Sequence, residues 1–151
     1  ARARGMARGR GRPPPQCLLR VAACALARLG AGSSAPSQDL LVQVSHGGAH
    51  SCAVTREDGN VTCWGDGEHG QLGTGVAASA AAASPVPGLA PALAVSAGGL
   101  HTCAVEREGG VLCWGFGGHG QLGHGGLSPR SAPEPVPRLG GPAANVSAGG
   151  S

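Results

Sequence analysis

Cys-Ala-Val, then Cys-Trp-Gly, then His-Gly-Gln-Leu-Gly occurs twice in that order, over residues 52–73 and again over residues 103–123. His50 recurs as His101 and Cys52 as Cys103, 51 positions on, whereas Trp64 recurs as Trp114 and Gly73 as Gly123, 50 positions on. The second copy has lost one residue between its two cysteines. The match runs outward, because Pro85-Val86-Pro87 and Leu89 recur as Pro135-Val136-Pro137 and Leu139. A third copy opens at Val146-Ser147 with Gly149-Gly150, matching Val44-Ser45 with Gly47-Gly48 and Val95-Ser96 with Gly98-Gly99. A repeat of about fifty residues rich in glycine and short strands is the mark of a propeller or related array. The expected units are 41–91 and 92–142, with a third beginning at 143.

Short strands carry the repeat. Residues 40–44, 51–55 and 61–64 read as strands in the first copy, the last two separated by the turn residues Asp58-Gly59. Residues 93–95, 101–105 and 111–114 repeat the pattern, and no ten-residue helical period interrupts it. The fold class is therefore all-β. Residues 76–83, nearly all alanine, and the proline-rich residues 128–142 read as spacers between strands. With 29 Gly, 12 Pro and only two Trp and one Phe, the core is left to Val, Leu, Ala and Cys.

The formal charge of +3 divides unevenly along the chain. Residues 1–38 carry seven Arg and no acid, while residues 39–151 carry four Arg against eight Asp and Glu. The acidic repeat region offers phosphate backbones no basic footprint, which disfavours nucleic-acid binding through the repeats, and none is expected. Lysine is absent, and with it the phosphate-loop lysine and Schiff-base chemistry. No run reaches the roughly 18 to 20 apolar residues that a membrane span needs.

The first 39 residues form a basic leader. Arg8, Arg10 and Arg12 precede a short apolar stretch and the small residues Ala31-Gly32-Ser33, which favours a secretory signal; an Arg-rich organelle transit peptide and a disordered basic tail are the alternatives. Ala1 to Gly5 precede the only methionine, and the chain stops inside a repeat, so it reads as a fragment.

Both 65–70 and 115–120 satisfy G-x-G-x-x-G after a strand. The dinucleotide fingerprint needs a helix N-terminus to follow, and Gln-Leu-Gly follows instead. These are tight glycine turns, with no cofactor expected. His50, His101, His69 and His119 recur with the repeat, but Cys52 and Cys63 stand eleven apart, wider than the two-to-four spacing of structural zinc sites. No metal is expected, and the recurring histidines read as structural, a ring nitrogen bonding a neighbouring backbone group. No Gly-x-Ser-x-Gly elbow supports a hydrolase triad, and the chain is read as having no catalytic residues. Asn60-Val61-Thr62 and Asn145-Val146-Ser147 are glycosylation acceptor patterns.

The hairpin count sets Cys52 opposite Cys63 across a four-residue loop, residues 56–59. The deletion leaves Cys103 opposite Cys113 across a three-residue loop, residues 107–109. Opposed residues of an antiparallel pair stand close enough for a disulfide. Loss of Cys17 and Cys24 with a cleaved leader would leave an even four, as a secreted framework requires. Reduced cysteines packing between blades are the alternative.

These blocks at this period resemble the repeat of the regulator of chromosome condensation family, over about residues 41–151. The kelch repeat has a similar period but expects a tyrosine, and this chain has none. The resemblance implies a seven-bladed β-propeller with four strands per blade, of which about two blades are present. His50, Trp64, Gly70, Gln71 and Gly73, with His101, Trp114, Gly120, Gln121 and Gly123, match the family's architectural positions. The family's named member exchanges guanine nucleotide on the small GTPase Ran and binds chromatin, and other members are interaction platforms. The expected function is a non-catalytic protein-interaction propeller with an unidentified protein partner; exchange on a small GTPase is the alternative. Since repeats bury their faces on neighbours, further repeats or self-association are expected to complete the fold.

Overall fold

The computed structural model describes residues 41–137 and 139–150. The leader, with its signal or transit reading, Cys17 and Cys24, lies outside the described residues.

Eight strands form two four-stranded antiparallel sheets, each a simple meander with the strands in chain order. The first sheet is β1 Leu41–His46, β2 His50–Thr55, β3 Val61–Gly65 and β4 Ala80–Pro85. The second is β5 Ala92–Ala97, β6 His101–Glu106, β7 Val111–Gly115 and β8 Arg130–Pro135. The alternation of side chains along β2 and β3 puts His50, Cys52 and Val54 on one face with Val61 and Cys63. That face packs on the second sheet, where Val95, Ala104, Leu112 and Trp114 complete one apolar cluster. The matching face of the second sheet, with Cys103, Val105, Val111 and Cys113, forms another cluster with Leu122, Val136, Ala143 and Val146. These two sheets are propeller blades, and their interface is the first cluster.

The fourth strands overturn the spacer reading of residues 76–83 and 128–142. Ala80–Pro85 pairs with β3, Cys63 facing Ser84, and Arg130–Pro135 pairs with β7, Cys113 facing Glu134. An outermost strand is paired on one side only, so Pro133 and Pro135 are tolerated where a central strand would reject them. None of its residues is buried, which removes the apolar alternation that marks a strand in sequence. The first strand also runs two residues further than the expected 40–44.

No described residue is helical, and both glycine-rich loops close as successive tight turns. Gly70 N donates to Gly67 O and Gly73 N to Gly70 O, each at 2.9 Å. The same pair of bonds recurs from Gly120 to Gly117 and from Gly123 to Gly120.

Candidate functional site at the junction of the blades

The carbonyl of Gln71 is the point where the blades lock. Trp114 Nε1 donates to it at 2.9 Å, and Thr102 Oγ1 donates to it at 2.9 Å. A hydroxyl has one proton, so Thr102, having given it to Gln71, can only accept from His50 Nε2 at 2.8 Å. This fixes the neutral tautomer of His50 with its proton on Nε2 and leaves Nδ1 buried without a partner. In place of the expected backbone group, the partner is a side-chain hydroxyl of the next blade. Thr102 stands in the repeated His-(Ser/Thr)-Cys triplet, a signal visible in the sequence without its role.

The loop bearing Gln71 is shaped for this contact. Gly73 has φ 70°, a region that costs other residues about 1–2 kcal/mol. A Cβ there would lie 2.6 Å from Trp114 Nε1. Glycine is thus required twice, for its backbone conformation and for the indole lying over it. Gln71 itself is fully buried; its Oε1 accepts from His69 N and its Nε2 donates to Asp66 Oδ2, both at 2.9 Å. Asp66 Oδ1 accepts from Glu68 N and from Ser79 Oγ. The Glu68 amide, followed by the Ser79 and Gln71 side chains, holds the Asp66 carboxyl below the usual carboxylate range.

Backbone and side-chain bonds extend the junction along its length. Val95 N donates to Gln43 Oε1 and Ala97 N to Ser45 Oγ, each at 2.9 Å, and Gly48 N donates to Gly98 O at 3.1 Å. At the hairpin end Arg107 donates to the carbonyls of Arg56 and Glu57. The pattern restarts on the far side of the second blade, where Ala148 N reaches Ser96 Oγ and Gly99 N reaches Gly149 O.

The two copies of the signature stand differently. Trp114 has no exposed surface, whereas Trp64 is half-buried; Gly70, Gln71 and Gly73 are buried under the second blade, whereas Gly120 and Gly123 are exposed and Gln121 is half-buried. Ser51, the counterpart of Thr102, bonds His46 Nδ1 at 2.9 Å. His101 is buried with Nδ1 unpartnered.

Cys52 faces Cys63 and Cys103 faces Cys113, each pair with Cα atoms 4.1 Å apart and sulfurs at disulfide distance. Thr55 N donates to Asn60 O and Glu106 N to Gly110 O. Counting inward by twos from those bonded pairs places both cysteine pairs at non-bonded, narrow positions of the ladder, which explains the short separation. Asn60 and Asn145 are exposed. Among the described residues no group of three His, Cys, Asp or Glu is placed to hold a metal ion.

Burial pushes both His50 and His101 below the ordinary histidine value, and for His50 the nearby Asp66 offsets part of that. A depressed folded-state value means that the unfolded chain binds the proton more readily. Stability from these rings is therefore full above about pH 6.5 and falls as pH drops below it toward the folded-state values. Thermal melts across pH 7 to 5 should show a declining Tm, and His50→Gln, which removes that titration, should flatten the decline.

Two successive blades locked through Trp, Gln, His and Gly define a β-propeller array. The profile described as "Regulator of chromosome condensation (RCC1) repeat" matches residues 58–105 and 108–151. A second profile of the same description matches residues 41–71 and 93–121. The chain belongs to the RCC1 repeat family. Among solved structures it is similar to Prp20p from Saccharomyces cerevisiae, at 20% identity and a TM-score of 0.66 over 78% of this chain and 31% of that one. It is likewise similar to human WBSCR16, at 26% identity and a TM-score of 0.65 over 73% of this chain and 29% of that one. It thus spans under a third of the length of either. No curated protein matches the chain.

Proposed function

We propose that the chain serves as a non-catalytic protein-interaction propeller. The observation that supports this is where the recurring polar residues go. His50, Thr102, Trp114 and the Gln71 carbonyl bond one another between blades, so the repeat's signature is spent on architecture and the loops above it are free to vary. The opposed cysteines fit an oxidising compartment, and the exposed acceptor asparagines Asn60 and Asn145 fit the secretory route.

Guanine-nucleotide exchange on a small GTPase is the second reading. It is favoured by one similar structure, reported for its binding to Gsp1p and histones. Release of labelled GDP from purified small GTPases separates the two. The intrinsic rate should be unchanged by the chain, while cross-linking recovers a protein partner that calorimetry then shows to bind saturably. A tenfold acceleration of release would establish exchange instead.

A further inference from the structure

The loop after the third strand keeps three glycines and a histidine in both blades, and it differs at two positions. Residues 65–70 read Gly-Asp-Gly-Glu-His-Gly and residues 115–120 read Gly-Phe-Gly-Gly-His-Gly. In the first loop Asp66 ties the turn together, accepting from Gln71 Nε2, Ser79 Oγ and Glu68 N. Phe116, in the second, can accept nothing. The amide geometry is otherwise kept, His119 N donating to Gln121 Oε1 at 2.9 Å, yet Gln121 Nε2 is buried with no partner. Leaving a buried donor unpaired is costly, so the exchange of carboxylate for ring works against the fold.

The ring is not hidden in the core as compensation. Phe116 is half-buried, with its ring centroid 5.4 Å from His69 of the preceding blade and 5.6 Å from His119 of its own, both in edge-on contact and both exposed. Gly118 replaces Glu68 because a Cβ there would lie 2.6 Å from Phe116 Cζ. The two differences are one change, a ring and the space it needs. The resulting aromatic strip crosses from one blade to the next.

A carboxylate neighbours it in sequence. Glu68 is exposed beside His69, and Asp66 lies in the same loop. Arg56 and Arg107 belong to the hairpins at the opposite end of the strands. Arg130, which starts β8 at the loop end, is paired with Glu134. An aromatic strip beside an exposed carboxylate suits a guanidinium, which lies flat on rings and pairs with carboxylates. We propose that Phe116, His69 and His119, with Glu68, dock an arginine-bearing basic segment of a protein partner. This rests on the interaction-platform reading and names its surface. The balance of four Arg against eight Asp and Glu over residues 39–151 is complementary to such a segment.

The test titrates the full chain with a fluorescent peptide of alternating glycine and arginine, read by anisotropy and by amide NMR. Saturable binding is expected, with shifts at residues 66–69 and 116–121. It should weaken at least tenfold when arginine is replaced by its neutral isostere citrulline, and at least tenfold for Phe116→Asp. That variant offers Gln121 the partner that Asp66 gives Gln71, so its Tm should hold or rise while binding is lost. Phe116→Leu, which keeps apolar bulk without a ring, should lose binding as well and decides the matter if the aspartate variant misfolds. Equal affinity of either folded variant, equal binding of a glutamate peptide, shifts confined to the Arg56 and Arg107 hairpins, or no binding at millimolar peptide would each overturn this site. The platform itself would fall only if the partner search described above also failed.

Discussion

Trp114→Ala should lower stability by about 3–5 kcal/mol, the range for deleting a fully buried large aromatic side chain, and should uncouple the two blades. The indole is the largest wholly buried side chain of the described residues and sits at the centre of the cluster between the sheets. Its loss also removes one of the two donors on the Gln71 carbonyl. Trp64→Ala removes the same atoms from the same repeat position, but from a half-buried site, and should cost about 1 kcal/mol, an ordinary mutational loss. Denaturant unfolding of the two variants gives the comparison, and equal losses would show that the junction is not where the stability lies. Gly73→Ala tests the junction from the other side. Gly75→Ala meets nothing within 4 Å at φ 91° and carries only the backbone cost, so the excess loss at Gly73 reports the contact with Trp114.

Much of this was legible in the sequence because repetition and register are local counts. The offset between Cys52 and Cys63 specifies a cross-strand pair as soon as Asp58-Gly59 is read as the turn, and the deletion in the second copy preserves it. The outer strands were not legible in that way. Ala80–Pro85 carries no apolar alternation, since no residue of this outermost strand is buried, and its pairing with β3 is what makes it a strand. The junction lay out of reach for another reason. Its centre is a main-chain carbonyl, Gln71 O, whose partners Thr102 and Trp114 lie 31 and 43 residues away, and backbone acceptors leave no trace in residue identity. The Asp66 and Phe116 difference was visible, but it gained meaning only when Asp66 proved to hold the buried amide of Gln71.

Reduction of the two cysteine pairs is the other change expected to act strongly. Bonds between residues 11 and 10 apart close loops worth about 2–3 kcal/mol each in the chain-entropy model, a large share of the margin available to a small aromatic-poor domain. Reduction is a cleaner probe than substitution here. Cys52 and Cys63 are wholly buried in the cluster between the blades, so alanine would remove packing as well as the cross-link, whereas thiols keep the sulfur volume. The oxidised chain should therefore exceed the reduced one by about 2–3 kcal/mol per bond in denaturant unfolding. Non-reducing peptide mapping of protein from its native host should recover Cys52 linked to Cys63 and Cys103 linked to Cys113. Free thiols at all four positions, or links between blades, would refute the pairing; free thiols would also move the protein to a reducing compartment, where the same sulfurs act only as small apolar groups filling the blade core.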